Sequence, residues 1–244
     1  QTCALPISFK MPDHNVNLYA QWQKKASPDD TGVSDWLDVE NHRLFLVGYP
    51  DDTFRPSKNM TRAEVAQMFY ALLKNQNVKI TTTFSDVSED AWYSTAVNTL
   101  ASLGMLSGYP DGTFHPDAPI TRAEFATVAL AFAYEPEQAS CNYSDVSASA
   151  WYYRYVAQAA SYGWIGGYLD NTFRPENNIC RAEVTVIVNN MLGRAADKNF
   201  IDNNPDEIVH FEDLTDQHWA YYTIMEATNT HDYTGSYYNE TWKS

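Results

Sequence analysis

Positive charge is scarce in this chain. Its 244 residues hold 16 Lys+Arg against 31 Asp+Glu, a formal net charge of −15. A surface of that sign argues against nucleic acid and anionic membrane as partners. Cysteine is nearly missing. Cys3, Cys141 and Cys180 form an odd set whose spacing fits neither a disulfide framework nor a zinc site. Long apolar runs are lacking as well. The stretch 125–134 reaches about half of the roughly 20 residues that a membrane-spanning helix needs, and it reads as a core helix. No phosphate loop, nucleophile motif or regular calcium-loop spacing occurs, so no catalytic residue, cofactor or metal is assigned. Asp51, Asp52, Asp111 and Asp170 read as turn formers. Every carboxylate of interest has a repeat equivalent, which argues against a unique glycosidase pair. What is present is 44% hydrophobic and 14% aromatic residues, too many for a disordered chain and enough for a core.

The chain opens at Gln1 without an initiator Met or a signal peptide, so an upstream part is expected. Thr2-Cys3-Ala4-Leu5-Pro6-Ile7 resembles a translated sequencing adapter and carries no argument. Residues 9–22 alternate at Val16, Leu18, Ala20 and Trp22, which predicts a β-strand remnant within 1–25. Residues 26–34, with Pro28, Asp29, Asp30 and Gly32, read as a linker.

Repetition organises the rest. Gly48-Tyr-Pro-Asp-Asp-Thr-Phe-Arg-Pro56 recurs as Gly108-Tyr-Pro-Asp-Gly-Thr-Phe-His-Pro116 and Gly167-Tyr-Leu-Asp-Asn-Thr-Phe-Arg-Pro175. Each loop leads to Thr61-Arg-Ala-Glu64, Thr121-Arg-Ala-Glu124 or Cys180-Arg-Ala-Glu183. The motif arginines stand at 62, 122 and 181, a period of 60 and then 59. A second element also recurs: Phe84-Ser-Asp-Val87 with Trp92, Tyr143-Ser-Asp-Val146 with Trp151, and Phe211-Glu-Asp-Leu214 with Trp219. Gly104 and Gly163 close the first-half helices, at the place of a left-handed cap. Gly235-Ser-Tyr-Tyr-Asn-Glu-Thr-Trp242 reads as a decayed loop, and 197–206 as a second linker.

The expected fold is all-α: three helix-loop-helix repeats at about 35–76, 84–135 and 143–194, with a closing helix within 211–232. Because the first unit lacks its own aromatic-x-Asp start, the closing helix is expected to pair back with it, giving a pseudo-threefold ring.

These motifs resemble the S-layer homology domain over about 35–233. The resemblance implies a three-pronged helical spindle on an exported Gram-positive surface protein, extracellular at the cell wall or S-layer. It implies non-covalent anchoring to an anionic, pyruvylated secondary polysaccharide, without catalysis or membrane insertion. Self-association in the S-layer, or a non-catalytic tail on a glycan-active enzyme, are the alternatives. Residues 9–22 resemble the last strand of an internalin-type B repeat.

Thr61 and Glu64 make a capping box, which needs no ligand to explain it. An Arg at the first helical position faces the positive end of the helix dipole. It makes sense if an anion sits between it and free backbone N–H groups; the alternative is pairing with a repeat Asp. Five of the eight arginines lie in these motifs: Arg55, Arg62, Arg122, Arg174 and Arg181. The tryptophans read first as core anchors, or else as platforms for a sugar face. From the resemblance, the ligand set is Arg62, Arg122, Arg181, Trp92, Trp151, Trp219, Asp86, Asp145 and Asp213, beside Gly104 and Gly163. Cys180 in place of Thr and His231 in place of Gly mark departures, so the grooves should be unequal, those of Arg62 and Arg122 the better. Arg122→Ala is expected to weaken wall binding with little loss of fold.

Overall fold

A computed structural model describes residues 25–134 and 139–243. The strand expected over 9–22 lies outside these residues. Among the described residues the elements are α1 (Pro28–Thr31), α2 (Val33–Trp36), α3 (Arg62–Leu72), α4 (Ser94–Ser102), α5 (Arg122–Leu130), α6 (Tyr153–Ser161), α7 (Arg181–Leu192), α8 (Lys198–Asn203), a 3-10 turn (Pro205–Glu207), α9 (Tyr221–Thr228), and an antiparallel hairpin of β1 (Asp232–Ser236) and β2 (Asn239–Lys243). The repeats are therefore all-α, with the one hairpin appended.

The second-half helices start where the sequence says. The Glu64 N–H donates to Thr61 Oγ1 at 3.2 Å, and the Thr61 N–H donates to Glu64 Oε2 at 2.8 Å. Thr121 and Glu124 repeat both distances. At Cys180 the glutamate arm persists, its N–H reaching Glu183 Oε2 at 3.0 Å. Burial pushes the Cys180 thiol up to about 11, so it stays protonated. Each of these helices packs on a first-half helix: α3 on α4, α5 on α6, α7 on α9.

Three backbone bonds close a triangle at the centre. The Met60 N–H donates to Ile179 O (3.0 Å), Ile179 to Ile120 O (3.0 Å), and Ile120 to Met60 O (3.1 Å). All three side chains are buried. Around this triangle, each helix begins on the exit of the next loop. Arg62 and Ala63 donate their N–H groups to Ala118 and Pro116, Arg122 and Ala123 to Asn177 and Pro175, and Arg181 and Ala182 to Lys58 and Pro56. The third unit returns to the first, so the arrangement is cyclic.

The first unit is assembled from the two ends of the described chain. The Met105 and Leu106 N–H groups donate to Leu100 O at the end of α4. The Phe45 and Leu46 N–H groups donate to Ala227 O in α9 in the same way, at 3.0 and 3.2 Å. Glu212 donates its N–H to Asp52 O, as Ser85 does to Gly112 O and Ser144 to Asn171 O. The closing helix thus joins the first loop, while its packed helical partner is α7.

Three local expectations are corrected. Residues 26–34 are no loose linker. Ser27 and Asp30 make a capping box around Pro28, and Thr31 and Val33 are buried, with α2 against α7. The stretch 197–206 holds α8 and the 3-10 turn, capped by Asp197 and pinned by buried Ile201. The decayed loop at 235–242 is the β-hairpin, because Trp242 buries itself beside Phe200.

The loop glycines are set by close approach. A Cβ on Gly108 would lie 2.3 Å from the Phe84 ring and 2.4 Å from Thr113 O. On Gly48 and Gly167 it would lie 2.4 Å from Phe211 and Tyr143. Both a ring and a carbonyl would have to move at Gly108, so Gly108→Ala is expected to destabilise by about 1–3 kcal/mol. Urea unfolding measures this, and an unchanged midpoint would refute the packing argument.

Candidate functional site

Between neighbouring units run three equivalent grooves. The first gathers Arg62, Gly104, Tyr109, Glu124 and Trp151 in about 550 Å³. The second gathers Arg122, Gly163, Tyr168, Glu183 and Trp219 in about 470 Å³. The third gathers Arg181, Val47, Tyr49, Glu64 and Trp92 in about 340 Å³. Volumes of this size suit small ligands or a few sugar residues. Each groove takes its Arg from one unit and its Trp from another, so none exists within a single repeat. No Cβ-sized obstacle lies within 4 Å at Gly104, which keeps the first groove open at that end.

The tryptophans overturn the core-anchor reading. Trp92, Trp151 and Trp219 are 63%, 60% and 60% exposed, each just before its helix begins. An edge-to-face Tyr braces two of them, Tyr93 at 5.2 Å from Trp92 and Tyr152 at 5.3 Å from Trp151.

The arginines point elsewhere than expected. The N–H groups at the first two positions of α3, α5 and α7 are taken by loop carbonyls, and the third in α3 and α5 by the cap. The idea of an anion on free N–H groups is therefore corrected. Nor, among the described residues, do these arginines pair with a repeat Asp. Arg62 donates through Nε to Phe114 O and through Nη2 to Ser107 O, both at 2.8 Å. Arg122 reaches Phe173 O and Gly166 O, and Arg181 reaches Phe54 O and Val47 O. Each guanidinium also lies near a loop Phe and Tyr: for Arg62, 4.6 Å from the Phe114 centroid and 5.2 Å from Tyr109. The arginine is a strut between units as well as a groove wall.

The grooves differ in charge. Arg122 has a third bond, from Nη1 to Glu183 Oε1 at 2.8 Å, and the Tyr168 hydroxyl donates to that same oxygen at 2.7 Å. Burial and this carboxylate raise the Tyr168 phenol. Among the described residues no bond is found to Nη1 of Arg62 or Arg181. At the third groove, its lining residue Glu64 pairs with Lys58 at 2.8 Å, and Lys58 stands over the Tyr49 ring.

Asp86, Asp145 and Asp213 do not line these grooves. Asp86 accepts the Phe114 and His115 N–H groups at 2.7 and 2.8 Å. Asp145 accepts those of Phe173 and Arg174, and Asp213 those of Phe54 and Arg55. Burial works against it, yet these N–H groups hold the Asp86 carboxyl below the usual carboxylate range. The braced residues Arg55, His115 and Arg174 sit at φ 57, 57 and 58°, so the position is defined by its backbone and His can stand for Arg. Thr53 and Arg55 bring the Asp51 carboxyl to about 2, and Thr172 and Arg174 do the same for Asp170.

The loop and helix motifs also decide the family. A family model described as S-layer homology domain matches residues 43–66, 83–126 and 142–185. The chain carries three S-layer homology repeats. The first match is the short one, and in the fold α9 takes beside the first loop the place that α4 takes beside the second. The chain is 36% identical over 206 residues to "Cell surface glycoprotein 1" of Acetivibrio thermocellus, covering 79% of this chain and 9% of that protein. It is 34% identical over 206 residues to the "Cellulosome-anchoring protein" of the same organism, 79% of this chain and 43% of that one. It is 31% identical over 174 residues to "Amylopullulanase" of Thermoanaerobacterium thermosulfurigenes, 68% of this chain and 9% of the enzyme. The chain thus spans less than half the length of each. The repeats and these relatives support a cell-surface anchoring module. Among the described residues no helix is long and apolar enough to cross a membrane.

Away from the grooves, His42, Glu226, His231 and Glu240 meet in one buried cluster. Sequence reasoning assigned no metal ligands. Its one signal was His231 standing where two repeats have Gly.

Proposed function

We propose that this region holds an exported protein at the bacterial wall by binding an anionic secondary polysaccharide, with a pyruvylated sugar as the ligand class. The observation that carries the reading is the exposure of Trp92, Trp151 and Trp219 at equivalent places, each in a groove with a neighbour's arginine. Exposing a Trp forfeits the burial of a large ring; doing so three times is a repeated provision for a ligand. The apolar face of a pyranose covers the ring, and the guanidinium edge takes the carboxylate. The Arg122 groove, expected from the sequence to be among the better two, gives way to that of Arg181 beside that of Arg62 as anion acceptor, because Glu183 already neutralises Arg122. With the protein at −15, attraction is confined to these grooves rather than spread over the surface. Several grooves on one polymer raise retention through effective concentration.

The test is co-sedimentation with wall sacculi, before and after chemical removal of the secondary polysaccharide. Binding that vanishes with the polymer is expected. Binding that survives its removal, or self-association without it, would replace this reading with a protein-contact module.

A further inference from the structure

At the seam where the two ends of the described chain complete the ring, four side chains turn inward from four places. His42 precedes the first loop, Glu226 belongs to α9, His231 follows α9, and Glu240 lies on β2. Their side chains are 3%, 0%, 4% and 1% exposed. The facing atoms crowd one point. His42 Nδ1 is 3.0 Å from Glu240 Oε2, 3.1 Å from His231 Nε2 and 3.4 Å from Glu226 Oε1. His231 Nε2 is 3.6 Å from Glu226 Oε1 and 4.0 Å from Glu240 Oε2. A tetrahedral ion with bonds of about 2.0–2.2 Å keeps its ligand atoms roughly 3.3–3.6 Å apart. The observed separations straddle that value.

Two further observations point to a ligand at this centre. Neither oxygen of fully buried Glu226 makes a hydrogen bond among the described residues, and Glu240 Oε2 has only the His42 ring nitrogen at 3.0 Å. Buried carboxylate oxygens without donors are costly and call for a partner. The outer contacts also have the form that supports metal ligands. His231 Nδ1 lies 3.1 Å from Asn229 O, so it donates there and leaves the Nε2 lone pair facing the centre. The Ala195 N–H donates to Glu240 Oε1 at 2.9 Å, which orients the other oxygen inward. The His231 ring stacks on Trp242 at 3.7 Å and the His42 ring on Tyr233 at 3.9 Å.

We propose that His42, Glu226, His231 and Glu240 bind one divalent transition-metal ion of the zinc class. Two imidazoles favour such an ion over magnesium or calcium, which prefer oxygen ligands. All four positions come from protein, so the site is structural. It ties the segment before the first loop to α9 and to the hairpin, and so adds a fastening to a seam that backbone bonds, the Leu44 N–H to Thr230 Oγ1 bond and the Arg194 bonds to Arg43 O and Asn41 O already close.

The test is zinc titration of the chelator-stripped chain against a chromophoric competitor. One ion per chain is expected, with an unfolding midpoint that rises with zinc and returns on chelation. Outer contacts alone typically contribute about 10–100-fold in affinity, so Glu226→Gln and His231→Ala should each weaken binding by more than about 100-fold. Magnesium should not compete. No stoichiometric binding, or equal affinity in both variants, overturns the proposal. If a variant fails to fold, cobalt in the unaltered protein decides: intense visible bands of tetrahedral cobalt support the site, and weak octahedral bands overturn it.

Discussion

Trp151→Ala is expected to weaken binding to wall sacculi by roughly 30-fold per groove, about 2 kcal/mol, as for a central aromatic anchor. The side chain is 60% exposed, and no hydrogen bond to it is found among the described residues. Its loss should change unfolding free energy by no more than about 0.5 kcal/mol, the usual range at such a surface. Removing Trp92, Trp151 and Trp219 together should bring binding to background, because avidity multiplies what each groove contributes. Sedimentation and urea unfolding on the same preparations separate the two effects. A triple variant that still sediments with sacculi would sink the stacking reading.

Arg122→Ala is expected to do the reverse of what its motif implied: the fold fails first. The side chain is 5% exposed and donates to Phe173 O, Gly166 O and Glu183. Truncation strands two carbonyls and a half-buried carboxylate between units, at a cost of about 3–4 kcal/mol. For a chain of this size that lowers the melting midpoint by roughly 6–16 °C. Arg122→Lys should rescue little, since one ammonium cannot span the three acceptors. Arg62→Ala should cost less, because Arg62 is half-buried and has no carboxylate partner among the described residues. Equal melting of the Arg122 variant and the parent would refute the strut. Binding losses in Arg122 variants therefore report stability, whereas losses in tryptophan variants report recognition.

The elements that could be read in advance are those whose chemistry is complete within a few residues. Thr61 and Glu64 cap each other across three positions. Asp52, Gly112 and Asn171, at φ 56, 81 and 63°, are residue types that tolerate the left-handed turn they occupy. The same locality hid other things. Ser27 and Pro28 carry a start signal for α1, but the Pro, Asp and Gly around them resemble a linker.

Where each side chain points was another matter. Trp92 and buried Phe54 are both large aromatics, and spacing cannot tell which one the next unit covers. The motif arginine and its groove belong to different repeats, so a repeat read singly shows neither the carbonyls it braces nor the Trp it faces. His42 and Glu240 lie far apart in sequence and meet at 3.0 Å only because the ring closes. Periodicity, capping and turn chemistry are local and were carried by residue type alone. Exposure, groove composition and the seam cluster arise from packing between units, which exists only once Met60, Ile120 and Ile179 have joined the three repeats into one ring.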